Sequence, residues 1–170
     1  MKGIYLCAFY AEHPQADLDY QDRFIERDIG GDCLDVNLDR YDYIIATPPC
    51  NYWSRGNYRR NTSFYALSTM HLLPCLLIRL RNIGKPFIIE NVRNDPMFEK
   101  FGIYENAKGL YIYRLGRHTY FTNIKLDLSE MIQINDSIQN ISHGRREGGE
   151  NVKRVIDKFI ETIGGFSYDQ

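Results

Sequence analysis

The 170-residue chain predicts an α/β fold, a sheet with helices on both faces, on three observations. Short, continuously apolar runs such as Tyr43-Ile-Ile-Ala-Thr47 read as strands buried on both sides. The segments between such runs carry helical spacing, and strands that alternate with helices argue for this architecture. Finally, the chemically capable residues cluster where strands end, the place at which a doubly wound sheet binds its ligands. No internal repeat, low-complexity stretch or linker divides the chain, so residues 1–170 are expected to form one domain.

Taken in order, Gly3 to Phe9 is the first expected strand. Asp17 to Ile29 has helical spacing through Leu18, Phe24, Ile25 and Ile29, and Gly30-Gly31 closes it. A short apolar step, Cys33 to Val36, suggests a strand, and Tyr43 to Thr47 is the clearest one. Ser63 to Arg81 reads as a long helix begun by Thr62 or Ser63 and closed by Gly84, with Pro74 expected to kink or split it. Pro86 to Ile89 is a strand ending on Glu90-Asn91. Gly109 to Tyr113 and Tyr120 to Thr122 look like later strands. Asn151 to Ile163 is an amphipathic helix with Val152, Val155, Ile156, Phe159, Ile160 and Ile163 on one face.

Two strand ends carry the chemistry. Thr47-Pro-Pro-Cys50 displays a thiol behind a rigid turn, and Glu90-Asn91-Val92 displays a carboxylate. If these strands are neighbours, the two groups face one crevice. A thiolate that attacks a carbon, beside a carboxylic acid that protonates a ring nitrogen, suits addition to an electron-poor ring. The prolines hold the backbone so that the thiol need not be ordered at each turnover.

Composition excludes other classes. The hydrophobic fraction of 44% and charged fraction of 25% are ordinary for a soluble globular chain. No apolar run of about 18 residues exists, and the first residues lack a signal-peptide pattern, so no membrane partner and a cytoplasmic location are expected. Cys7, Cys33, Cys50 and Cys75 are widely spaced without ligand-like histidines, so neither a metal nor a disulfide framework is expected. The net charge of −1 conceals an asymmetry. From Tyr43 to Ile89 there is no Asp or Glu, while Arg55, Arg59, Arg60, Arg79, Arg81 and Lys85 all fall there, after a stretch rich in acids. Such a division fits either a face suited to an anion such as nucleic acid or an ordinary pair of solvated helices.

Together the motifs "TPPC", "IIENV" and, more weakly, "GRHTYFTN" resemble those of the DNA (cytosine-5)-methyltransferases, especially the short, phage-type members. The resemblance covers roughly Arg40 to Asn123. It implies a Rossmann-like methyltransferase sheet and a definite mechanism. Cys50 adds to carbon 6 of a cytosine turned out of the DNA stack, Glu90 grips the ring nitrogen and amino group, and Asn91 supports the Glu90 turn. Carbon 5 then takes a methyl group from S-adenosylmethionine. Arg117 matches the first arginine of the family's Gln-x-Arg-x-Arg segment. Asp32, in "GGDCLD", and Pro48 fall at cofactor-binding positions. "NYWSRGNYRRN" falls where the family keeps a mobile loop: Arg55, Arg59 and Arg60 are the candidates to hold phosphates, and Tyr52 or Trp53 to fill the gap left by the base.

The chain departs from the family pattern in three places. No glycine-rich turn follows Gly3, and Phe9 and Tyr10 stand where the cofactor needs close backbone approach. Leu115 and Thr119 occupy the glutamine and second arginine positions, and the spacing gives no warrant for Arg114 or His118 as a substitute. No stretch long enough for a separate target-recognition domain follows Asn123, so specificity is expected from the loop, a dimer partner or a second chain. Two other readings stay open. One keeps the Cys50 and Glu90 chemistry for other carbon-5 work on a pyrimidine nucleotide. The other is a non-catalytic DNA-binding homologue.

Overall fold

A computed structural model describes residues 1–7, 25–27, 32–131 and 145–164, with the side chains of 25–27 and 145–151 left aside. Its strands are β1 (Gly3–Leu6), β2 (Ile25–Arg27), β3 (Tyr43–Ala46), β4 (Phe87–Val92), β5 (Tyr111–Leu115) and β6 (His118–Thr122). Its helices are α1 (Phe64–Thr69), α2 (Leu72–Arg81), α3 (Asp95–Lys100), α4 (Ile103–Asn106) and α5 (Arg145–Thr162). The strands form one open mixed sheet in the order β2-β1-β3-β4-β6-β5. The first four strands run parallel, while β6 is antiparallel to both of its neighbours.

Period-2 alternation divides the strands between two cores. Ile4, Leu6, Ile44, Ala46, Phe87, Ile89 and Phe121 face the side covered by α1 to α4. Tyr5, Tyr43, Ile45, Ile88 and Tyr120 face α5, whose Val152, Val155, Ile156, Phe159 and Ile160 are all fully buried. Helices therefore cover both faces, as the continuous apolar runs predict. Gly3 is required by the second core: a Cβ there would lie 2.2 Å from the ring of Tyr43, its register partner on β3.

The long helix expected from Ser63 to Arg81 is two helices. Ser63 caps α1, its Oγ accepting from the Ala66 amide at 3.3 Å. The break falls at Met70-His71, so Pro74 occupies the first turn of α2, where an amide has no helical partner to lose. Past α2, Gly84 turns the chain with φ 72°.

Two expected elements are corrected. Ile25–Arg27, inside the segment spaced as a helix, is a strand, because its backbone pairs in parallel with Gly3 to Tyr5 of β1. The rest of that helix, and the Gly30-Gly31 stop, lie outside the described residues. Cys33 to Val36 is a turn rather than a strand. The Asp32 carboxylate accepts from the Leu34 amide at 2.9 Å, and the Asp32 carbonyl accepts from Asp35 at 2.9 Å and Val36 at 3.2 Å. Amides engaged in that turn cannot enter a ladder. β1 is also shorter than expected: Cys7 leaves it with φ 62°, and Phe9 and Tyr10 lie outside the described residues. Among the described residues, no helix is long and apolar enough to cross a membrane, and no cluster of His, Cys, Asp or Glu has a metal-holding arrangement.

Candidate active site

β3 and β4 are parallel neighbours, with Ala46 opposite Ile89. Glu90, within β4, and Cys50, past the end of β3, therefore lie toward the same end of the sheet, close enough for the charge of Glu90 to bear on the thiol. Three polar contacts fix this corner. Thr47 Oγ1 donates to the Tyr5 hydroxyl at 2.9 Å, tying the end of β3 to β1. Asn91, 1% exposed, donates from Nδ2 to the Pro48 carbonyl at 3.1 Å, while its Oδ1 accepts from the Val92 amide at 2.9 Å. Asn91 thus joins the ends of β3 and β4, a wider support than the single turn expected of it. Pro48 and Pro49 are buried.

Cys50 begins a tight turn, its carbonyl accepting from the amides of Trp53 at 3.0 Å and Ser54 at 2.8 Å. The side chain is half-buried, and none of the four cysteines is in a disulfide. Burial, reinforced by the charge of Glu90, pushes the Cys50 thiol up to about 11. At neutral pH the thiol therefore keeps its proton until something removes it.

Glu90 is 8% exposed. It lies opposite Tyr120 across the β4–β6 ladder, and His118, two residues earlier on β6, shares that face. Antiparallel pairing brings such diagonal neighbours within reach of long side chains. His118 Nδ1 and Glu90 Oε1 share a hydrogen bond at 2.7 Å, in which the imidazole N–H donates when Glu90 is a carboxylate. The Tyr120 hydroxyl is buried beside them without a hydrogen-bond partner. Burial, then the charge of Glu90, holds that phenol well above its usual range.

The remaining sequence-derived residues divide sharply. Arg117 lies in the exposed turn between β5 and β6, and its carbonyl accepts from the Arg93 amide at 2.6 Å, placing it beyond the end of β4. Thr119 faces the other side of the sheet, opposite Asn91, with its hydroxyl buried and unpartnered. Arg114 is held away from the crevice by Asp95, at 3.1 Å. Asp32 is exposed and its carboxylate closes its own turn.

In the loop, Tyr52 and Trp53 are packed inward, at 5% and 1% exposure, rather than displayed toward a displaced base. Their rings meet edge-on with centroids 5.1 Å apart, and Trp53 meets Phe98 at 5.6 Å and Phe101 at 5.8 Å. The Asn94 side-chain amide closes this anchor on the Trp53 carbonyl at 2.7 Å. Arg60 is half-buried and donates to the Ser54 carbonyl at 2.6 Å. Arg55 and Arg59 are exposed. The rings this stretch does present are Tyr58, 96% exposed, and Phe64, 86% exposed.

The acid-free stretch is also less free in charge than its composition implies. Arg79 donates to the Cys33 and Val36 carbonyls, Arg81 to those of Asn106 and Lys108, and Lys85 to those of Leu38 and Asp39. These cations act as braces between turns.

Sequence reasoning missed His118 as the partner of Glu90. The signal was available only through the register of the hairpin: its two-residue turn, Gly116-Arg117, places His118 opposite Leu115 on β5 and on the Glu90 face of β6. A scan against protein-family models matches none, and a search of curated proteins finds no relative.

Proposed function

We propose that the protein is a cytosine-5 methyltransferase-like enzyme of Rossmann-like fold that acts on DNA through a covalent adduct at Cys50. The observation that carries this reading is the adjacency of Cys50 and Glu90 at the ends of two neighbouring parallel strands. Three features support it. The thiol sits behind a braced proline turn, the carboxylate is nearly buried, and the loop that follows Cys50 displays two arginines and two aromatic rings. Arg55 and Arg59 suit phosphates, and Tyr58 and Phe64 suit stacking on exposed bases.

In this reading Glu90 supplies a proton to the ring nitrogen of the cytosine, which draws electrons toward that nitrogen and makes carbon 6 electrophilic. Cys50 gives up its proton to solvent, its sulfur forms a bond to carbon 6, and the carbon 5–carbon 6 π electrons become available at carbon 5. The proton that Glu90 supplies is taken up from solvent as the base enters, and it offsets the charge that, after burial, raises the Cys50 thiol at rest, so thiolate formation is favoured when the base is in place. When carbon 5 has been alkylated and its proton passes to solvent, the carbon 6–sulfur bond breaks and the thiolate is regenerated.

S-adenosylmethionine, when bound, would supply an electrophilic methyl group. In this reading its place is the carboxyl end of the sheet. Strand order reverses between β1 and β3, and ligands of such sheets enter beyond the carboxyl ends of the strands at that point. Pro48 stands just past β3, and Pro48 and Asp32 are the groups that would hold it in this reading.

The reading is tested by calorimetric titration with S-adenosylmethionine and S-adenosylhomocysteine, followed by transfer of labelled methyl groups to cytosine-containing DNA. Micromolar binding at one site per chain, with transfer abolished in Cys50→Ala, is expected. No binding at millimolar cofactor would defeat a self-sufficient methyltransferase.

A further inference from the structure

The contact between His118 and Glu90 does more than satisfy a buried carboxylate. With Nδ1–H on Oε1 at 2.7 Å, the pair leaves two atoms uncommitted among the described residues, Glu90 Oε2 and His118 Nε2. Neither side chain is sealed in: Glu90 keeps 11% and His118 19% of its side-chain surface exposed. The other titratable groups that bear on the pair are Cys50, at the end of β3, and Tyr120, beside it on β6. Both hold their protons at rest, which leaves the imidazole as the neighbour whose two ring nitrogens can each carry or lack one.

A permanent cation in this place would favour the bare carboxylate. An imidazole instead allows two arrangements of the same protons: imidazolium with carboxylate, or neutral imidazole with Oε2–H. In the second, Nδ1–H still donates to Oε1, and Oε2–H points its proton at whatever enters the crevice. Cytosine presents a ring-nitrogen lone pair at that edge, whereas uracil and thymine present an N–H. The protonated carboxyl donates to the first and collides, hydrogen against hydrogen, with the second.

The geometry points to His118 as the positioning residue that makes Glu90 a selector of cytosine over uracil, by holding Oε1 and keeping on the pair the proton that Oε2 donates. This inference rests on the reading of the crevice as a pyrimidine site, but it does not depend on which group carbon 5 receives.

A double-mutant cycle tests it, with single-stranded oligonucleotides that differ by one cytosine or uracil as probes and binding read by fluorescence anisotropy. Wild type is expected to prefer cytosine by at least about tenfold. His118→Gln keeps an N–H for Oε1 but cannot hold the extra proton, so the preference should fall to within about twofold, with an unchanged melting temperature. Glu90→Gln carries a permanent N–H donor at the Oε2 position. Its cytosine preference should therefore be the same whether residue 118 is His or Gln. In the 15N spectrum of histidine-labelled protein, the His118 ring signals should move when the cytosine probe is added, and the uracil probe should leave them in place.

The inference is overturned if His118→Gln retains the full preference, if it weakens both probes equally, if residue 118 matters as much in the Glu90→Gln background as in wild type, or if neither probe binds. The methyltransferase reading fails differently. Cofactor binding or methyl transfer would then be missing while the base preference still follows residues 90 and 118. The converse, transfer intact and preference indifferent to residue 118, would remove this inference alone.

Discussion

Glu90, on β4, and Asp95, at the start of α3, are two carboxylates near the same end of the sheet, and their surroundings differ in kind. Asp95 is partly exposed and engaged by three groups: Arg93 at 3.4 Å, Arg114 at 3.1 Å and the Tyr104 hydroxyl. Burial alone would raise it, but hydrogen bonds from Tyr104 and Arg114 outweigh that and bring it below its ordinary range. Every neighbour of Asp95 favours the charge. Glu90 has one imidazole, an acid thiol and a phenol beside it, and the last two are pushed toward their neutral forms by its presence. A carboxylate surrounded by cations has a settled state and braces the fold. One whose neighbours carry no fixed charge has no such brace, and its partners are a hydrogen bond from one side and two neutral acids from the other.

The contrast can be broken at several points. The largest effect is expected at Cys50: Cys50→Ala should reduce methyl transfer on the order of 10⁴-fold or more, as loss of a nucleophile does, while thermal melting stays unchanged. Trp53→Ala comes next. It empties the aromatic anchor under the loop and should cost about 3–5 kcal/mol in urea unfolding, a loss that Tyr58→Ala, at an exposed ring, should not share.

Glu90→Gln removes the charge that helps hold Cys50 at about 11. The midpoint of iodoacetamide alkylation against pH should move downward, giving about tenfold faster labelling at pH 8 for a shift of one unit. An unchanged profile would mean that burial alone holds the thiol proton. Arg59→Ala should weaken DNA binding a few-fold and reduce the slope of log affinity against log salt by about one.

The smallest effect belongs to the braced carboxylate. Asp95→Asn should cost about 0.5 kcal/mol or less, because its partners are exposed. Asp95 lies lower in the fold than in the unfolded chain, so its stabilisation is present above the free-carboxylate range and fades as pH drops through it. Acid unfolding of wild type and Asp95→Asn should therefore converge once pH has fallen below the range in which folded Asp95 keeps its charge, and Cys50 labelling should be identical in both.

The sequence made β3 and β4 legible because both are buried on two faces and carry no competing period. Their terminal Cys50 and Glu90 followed directly. Their adjacency did not follow from any pattern in the chain, and came only from the resemblance. Ile25–Arg27 was illegible for a physical reason: three residues at a sheet edge take their conformation from the ladder with β1, against a helical spacing that extends around them. His118 was hidden because its partner lies across a diagonal fixed by strand register. The arginines misled because their acceptors are carbonyls in turns distant along the chain, which no charge count displays. Tyr52 and Trp53 were read as displayed rings, although aromatic residues beside a proline turn serve equally well as a loop's anchor.

The hairpin of β5 and β6 has a bearing on how such a site can change over generations. Tyr120 and Phe121 are fully buried in opposite cores, so β6 cannot slip by one place without turning both out of their beds. His118 is thereby committed to the Glu90 side, and its chemistry is alterable only by replacing that residue. Gly116 and Arg117 lie outside both cores, but the Arg117 carbonyl accepts from the Arg93 amide and the two-residue turn sets the register, so its length is held as well. One short hairpin thus fixes His118 beside Glu90 twice over, by the packing of Tyr120 and Phe121 and by the length of its turn.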